Sequence, residues 1–126
     1  MEKPRTIARL ANRIRADVAP AFLAGLRCQK QRTDLTCRFI NDVHLNHNIA
    51  YLTACSIYTA IFEKSLEGLS LSEITDIRFY GNDPKNGDKD RDGYPITKVF
   101  SDGDRWNLQR IACESYLEFE DLRQGI

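Results

Sequence analysis

The run from Ile49 to Phe62 contains no charged residue, and nothing else in the chain is so uniformly apolar. It is too short to cross the ~30 Å hydrocarbon core of a bilayer, so it demands burial inside a folded domain. Its spacing predicts a helix over 47–65, with Tyr51, Ala54, Cys55, Tyr58, Ile61 and Phe62 as the buried stripe and Gly68 ending the segment. A chain of 126 residues built around one such helix fits a single domain, 1–126. The core it can bury is real but not generous.

Other elements fall around this helix. Ile7, Leu10, Ala11 and Ile14 recur at helical spacing, predicting an amphipathic helix over 5–15 with Arg5, Arg9 and Arg13 as a solvated ridge. Asp17 to Pro20 reads as a short extended piece, because the residue before proline is driven out of the α region. Ala21 to Arg27 reads as a short helix interrupted by Gly25, and residues 28–38 as a polar surface connection. Ser70 with Glu73 has the pattern of a capping box, predicting a short helical turn over 72–77. Ile77 to Tyr80 and Pro95 to Phe100 are candidate strands on either side of a charged, turn-rich loop, 81–93. Ser101 with Asp104 marks the start of a last helix, with Leu108, Ile111, Ala112, Ser115 and Phe119 on one face.

Formal net charge is zero, which gives the whole chain no electrostatic pull toward nucleic acid or an anionic membrane. The charge is nonetheless divided: residues 1–40 carry +6 and the remainder −6, so the two parts are expected to attract each other within one fold. The four cysteines, at 28, 37, 55 and 113, include no CxxC pair, which argues against a zinc site of the usual spacing. Their even number permits two disulfides without requiring them. Cys55 and Cys113 fall on apolar helix faces, where a buried thiol is the expectation. The basic start has no apolar run after it and so does not read as a secretory signal.

The residues best suited to chemistry precede the apolar helix: Asn41-Asp42-Val43-His44-Leu45-Asn46. A histidine in a polar loop that opens into a firm helix can be held by its neighbours and still meet solvent, as a general base must. This loop, followed by Ala50-Tyr51-Leu52-Thr53-Ala54-Cys55 and Tyr58, resembles the C-terminal block of the SGNH (GDSL-type) hydrolases. There an Asp-x-x-His loop supplies acid and base and leads into a Tyr-Leu-Ala-Ala helix. The resemblance extends to Ile7–Ala11 with Asp17–Phe22, to Phe62–Gly68, and to Asp104–Trp106 with Ile111–Glu114, about three quarters of the chain. It implies an α/β fold, an incomplete three-layer (flavodoxin-like) SGNH-type fragment, mostly helical with one to three short strands. Its expected activity is ester hydrolysis with His44 as base and no cofactor.

Two departures accompany it. The position three before the histidine, where the family has its acid, holds Asn41, with Asp42 beside it as the alternative orienting group. Replacing a triad acid by its amide costs about 10⁴-fold in rate in a serine protease. No serine follows a Gly-Asp pair, so the nucleophile block is missing and the chain alone is expected to be inactive. A complementary N-terminal hydrolase half, or self-association, is the expected partner.

Two further constellations could bind a cation. His44 and His47 form an i, i+3 pair across the loop–helix junction. Asp88-Lys89-Asp90-Arg91-Asp92-Gly93-Tyr94 matches the front of a calcium loop, with Asp88, Asp90, Asp92 and the Tyr94 carbonyl as candidate ligands for a structural calcium. Its twelfth position is Val99 rather than a bidentate glutamate, leaving Asp102 or Asp104 to substitute; as a turn the same residues need no metal. No phosphate-cradling glycine loop is present. The alternative to a hydrolase segment is a small non-catalytic binding or interaction protein, with the charged parts or the acidic loop as its working surface.

Overall fold

The computed structural model describes residues 2–78 and 80–126. It is mixed α/β and mostly helical. In chain order come α1 (Glu2–Ile14), α2 (Ala21–Gln31), α3 (His47–Phe62), β1 (Glu73–Thr75), β2 (Thr97–Val99) and α4 (Asp102–Gln124). Single 3₁₀ turns sit at Tyr80–Asn82 and Pro84–Asn86. Among the described residues no helix is long and apolar enough to cross a membrane.

α4 is the central element, packing against α1, α2 and α3. Its start is capped as the sequence suggests: the Ser101 hydroxyl accepts the Asp104 backbone N–H at 3.2 Å. Asp102 and Asp104 lie in the first turn and Arg123 in the last, signs that suit the helix dipole. Leu108, Ile111, Ala112, Ser115 and Phe119 are all buried, as their spacing predicts. Leu108, Ile111 and Ala112 join Ala24 and Cys28 of α2, Tyr51, Leu52 and Cys55 of α3, and Phe100 in the main core. Ala8, Leu23 and Phe119 form a second cluster between α1, α2 and α4. Gln109 is fully buried yet satisfied: it donates to the Tyr51 hydroxyl at 2.9 Å and the Leu69 carbonyl at 3.1 Å, and accepts from Gly68 N at 3.1 Å. That network ties the 66–71 loop to the α3–α4 seam.

The divided charge meets within the fold. Arg27 of α2 pairs with Glu118 at 2.5 Å and Glu114 at 3.4 Å, and Arg32 with Asp104 at 2.6 Å. Arg5, Arg9 and Arg13 stay exposed on α1.

Four expectations are corrected. α2 is not interrupted at Gly25 but runs to Gln31, because packing on α3 and α4 outweighs one glycine's propensity. Residues 72–77 form no helix, and Ser70 with Glu73 is no capping box. Instead β1 pairs antiparallel with β2 in the register Glu73↔Val99, Ile74↔Lys98, Thr75↔Thr97. Phe100 N donating to Ser72 O and Asp76 N to Ile96 O extend the ladder at either end. β-branched Ile74 and Thr75 favour the strand, and the Thr75 and Thr97 hydroxyls bond across it at 2.7 Å. The candidate strand at 77–80 is therefore displaced upstream: Ile77 lies in a bend and Tyr80 in a 3₁₀ turn, while Phe79 lies outside the described residues.

The fourth correction concerns α3. It ends at Phe62, with Glu63 in the left-handed conformation (φ 51°) donating its N–H to Thr59 O. Its buried side runs through Asn48, Tyr51, Leu52, Cys55, Ser56, Thr59 and Ala60, while Ala54, Ile61 and Phe62 face out. With no charge to mark a wet face, the sequence could not say which way this helix turns.

Candidate functional site

The loop before α3 is closed by its own backbone. Phe39 N donates to His44 O at 3.2 Å and Asn46 N to Cys37 O at 3.1 Å. Asn46 caps α3, its side-chain oxygen taking Asn48 N, while its amide group donates to the Thr36 carbonyl and hydroxyl, each at 2.9 Å. Asn48 adds a second bond to the Thr36 carbonyl at 2.8 Å. The segment 36–46 is thereby fixed to the first turn of the core helix.

Within this frame Asp42, not Asn41, orients His44. The Asp42 Oδ1 accepts the His44 backbone N–H at 2.8 Å and also contacts the ring Nδ1. Its other oxygen pairs with the Arg91 guanidinium. Among the described residues the Asn41 side chain has no hydrogen-bond partner; only its backbone N–H is engaged. The His44 amide and ring, with Arg91, hold the Asp42 carboxyl down at about 2, so it is ionised at neutral pH. A carboxylate only accepts, so Nδ1 is the donor in this pair, and whenever the ring is neutral the lone pair lies on Nε2. The Asp42 side chain is 14% exposed and that of His44 55%, so the acid is sheltered and the base reaches solvent. His44 lines an open groove of about 1110 Å³ together with Gln29, Leu35, Cys37 and Ile40 among others.

The acidic loop and the histidine loop are one structure. Asp92 reaches back some fifty residues to accept Ile40 N at 2.8 Å and Asn41 N at 2.9 Å. Asp90, almost wholly buried, takes Asp92 N at 2.9 Å and Tyr94 N at 3.0 Å on one oxygen. The Tyr94 carbonyl accepts Asp90 N at 2.7 Å, and Gly93 supplies the positive φ (83°) that the turn needs. Asp88 is exposed, its carbonyl accepting Ile96 N at 2.8 Å. One carboxylate oxygen of Asp90, both of Asp92 and the Tyr94 carbonyl, all proposed for calcium from the sequence, are thus bonded to backbone amides. Among the described residues no group of three or more His, Cys, Asp or Glu side chains is arranged to hold a metal ion.

His47 does not join His44. It is buried, with Nε2 donating to the Ile96 carbonyl at 2.7 Å, Nδ1 3.9 Å from Asp90, and Phe39 packed edge-on at 5.7 Å. It anchors the acidic loop to α3. The roles of Arg91 and Asp92 escape sequence reasoning, because nothing in local spacing announces contacts across fifty residues.

All four cysteines are free thiols. Burial pushes Cys55 up to about 12 and also raises Cys28, so neither is a ready nucleophile. No protein-family model, curated protein or solved structure matches the chain.

Proposed function

We propose that this chain is the acid–base segment of an SGNH-type ester hydrolase, the C-terminal part of an incomplete three-layer α/β arrangement. The observation that carries this reading is the Asp42 carboxylate on Nδ1 of a His44 ring that is 55% exposed and lines the groove. In that role Nε2 takes the proton of an attacking hydroxyl as the hydroxyl oxygen bonds to the ester carbonyl carbon. Asp42 stabilises the imidazolium so formed. The proton then passes to the departing alcohol as the ester C–O bond breaks. Asp42 takes the place that the family gives to the position of Asn41. The hydroxyl and the oxyanion donors come from outside these residues, from a complementary hydrolase segment.

The second reading is a non-catalytic interaction protein. It is favoured by the apolar side chains exposed around His44, namely Ile40, Val43 and Leu45. The coding sequence on the 5′ side of this segment, followed by p-nitrophenyl acetate hydrolysis by the joined polypeptide, separates the two. A Gly-Asp-Ser block there, with turnover lost in His44→Ala, supports the hydrolase. No such block and no His44-dependent turnover contradicts it and favours the interaction protein.

A further inference from the structure

The loop that carries His44 is closed by a short antiparallel pair. Arg38 stands opposite Leu45, Phe39 N donates to His44 O at 3.2 Å and Asn46 N to Cys37 O at 3.1 Å. Side chains alternate across such a pair, so Arg38 and Leu45 share one face, and Cys37, Phe39, His44 and Asn46 share the other. Exposure agrees: Arg38 and Leu45 are exposed, Phe39 and Asn46 buried. Cys37 and His44 are diagonal neighbours on their face, a separation of roughly 7–8 Å that a ring side chain can span. Both line the same groove.

This thiol has a base beside it. Cys37 is half-buried, unlike Cys28 and Cys55, which are buried and pushed up by desolvation. Asp42 engages Nδ1 of His44, so Nε2 is the nitrogen left for a thiol proton, and among the described residues nothing else bonds it. Thiol, imidazole and carboxylate supply a nucleophile, its base and the group that orients the base. Leu35 and Ile40 of the same groove offer apolar surface to an acyl chain. A thiol that takes an acyl group from a thioester forms one thioester as it breaks another. The exchange therefore needs no energy source, and thioesters suit this thiol better than oxygen esters do.

We propose that Cys37 is an acyl-accepting thiol with His44 as its base, and that the chain takes short acyl groups from small thioesters. The Sγ of Cys37 bonds to the thioester carbonyl carbon as its proton passes to His44 Nε2, and Asp42 stabilises the imidazolium. The proton then moves to the departing sulfur as the old C–S bond breaks, leaving acyl-Cys37 and a free thiol. The inference rests on the Asp42–His44 pair of the hydrolase reading, but not on the complementary segment which that reading requires.

The test incubates the wild-type chain, His44→Ala and His44→Gln with the acetyl thioester of N-acetylcysteamine at neutral pH. Peptide mass mapping follows acetylation of each cysteine with time. Cys113, half-buried on α4, is the internal reference, and unmodified Cys28 and Cys55 verify that each variant stays folded. In the wild type Cys37 is expected to acetylate at least about tenfold faster than Cys113. Both His44 variants are expected to slow Cys37 about tenfold or more and to leave Cys113 unchanged. A wild type in which Cys37 reacts no faster than Cys113 overturns the proposal. A rate at Cys37 that neither His44 variant lowers overturns it as well. The hydrolase reading is judged separately, by turnover of the joined polypeptide, so either can fail without the other.

Discussion

Asp42 bonds His44 twice, through the backbone N–H and through Nδ1, so the loop that places the histidine also engages one of its two ring nitrogens. An acid two residues before its base can do this because the turn between them folds the carboxylate back onto the next residue but one. The second oxygen, on Arg91, ties the same carboxylate to the acidic loop.

This arrangement makes the loop sensitive to acid. Asp42 is held at about 2 in the fold, against about 3.9 for an unfolded aspartate. A depressed carboxyl contributes stability that is complete above the unfolded value and is lost as pH falls through the folded one. Stability measured by urea denaturation is therefore expected to fall between about pH 4 and pH 2. Asp42→Asn is expected to show a smaller fall over that range; an equal fall would assign the acid sensitivity to other carboxylates.

Asp92 should matter as much as Asp42 for keeping the loop in place. Asp92→Ala removes the acceptor for Ile40 N and Asn41 N, and a lost hydrogen bond of this kind costs about 1 kcal/mol. Hydrogen exchange at those two amides is expected to quicken about tenfold, while amides beside Phe119 in the α4 core keep their protection. Quickening spread evenly over the whole chain would mean that Asp92 acts on global stability alone.

Gly25 lies inside an uninterrupted helix, and a Cβ there would meet nothing within 4 Å. Gly25→Ala is expected to stabilise the fold by about 0.5–1 kcal/mol, seen as a rise in Tm of roughly 4 °C. A lower Tm would mean that α2 is frayed or bent at this point.

The helical frame was largely legible in the sequence and the sheet was not. α4 announces itself by a serine cap, acidic first-turn residues and a clean stripe ending at Phe119, all local signals. α3 announces its existence but not its orientation, because apolar residues surround it and only contact with α2 and α4 chooses the buried side. β1 is three residues paired with a segment more than twenty residues away, and Ser70 with Glu73 offered a local pattern that tertiary pairing overrode. The candidate site divides in the same way. His44 and Asp42 stand out as neighbours, but the preference for Asp42 over Asn41 depends on side-chain direction. The grip of Arg91 and Asp92 depends on the fold.

The thiols give an independent check on the core. Cys28 and Cys55 are buried and raised by desolvation, whereas Cys37 and Cys113 are only half-buried. Ellman's reagent is expected to label Cys37 and Cys113 in the folded chain and the other two only on unfolding. Early labelling of Cys55 would place a gap between α3 and α4.

The central claim is that Asp42 holds His44 as a base with Nε2 free, and ¹⁵N chemical shifts of the His44 ring test it most directly. At a pH where the ring is neutral, the protonated nitrogen is expected to be Nδ1 in the wild-type chain, and Asp42→Asn is expected to abolish that preference. A proton on Nε2 in the wild type, or a tautomer unchanged in Asp42→Asn, would contradict the account.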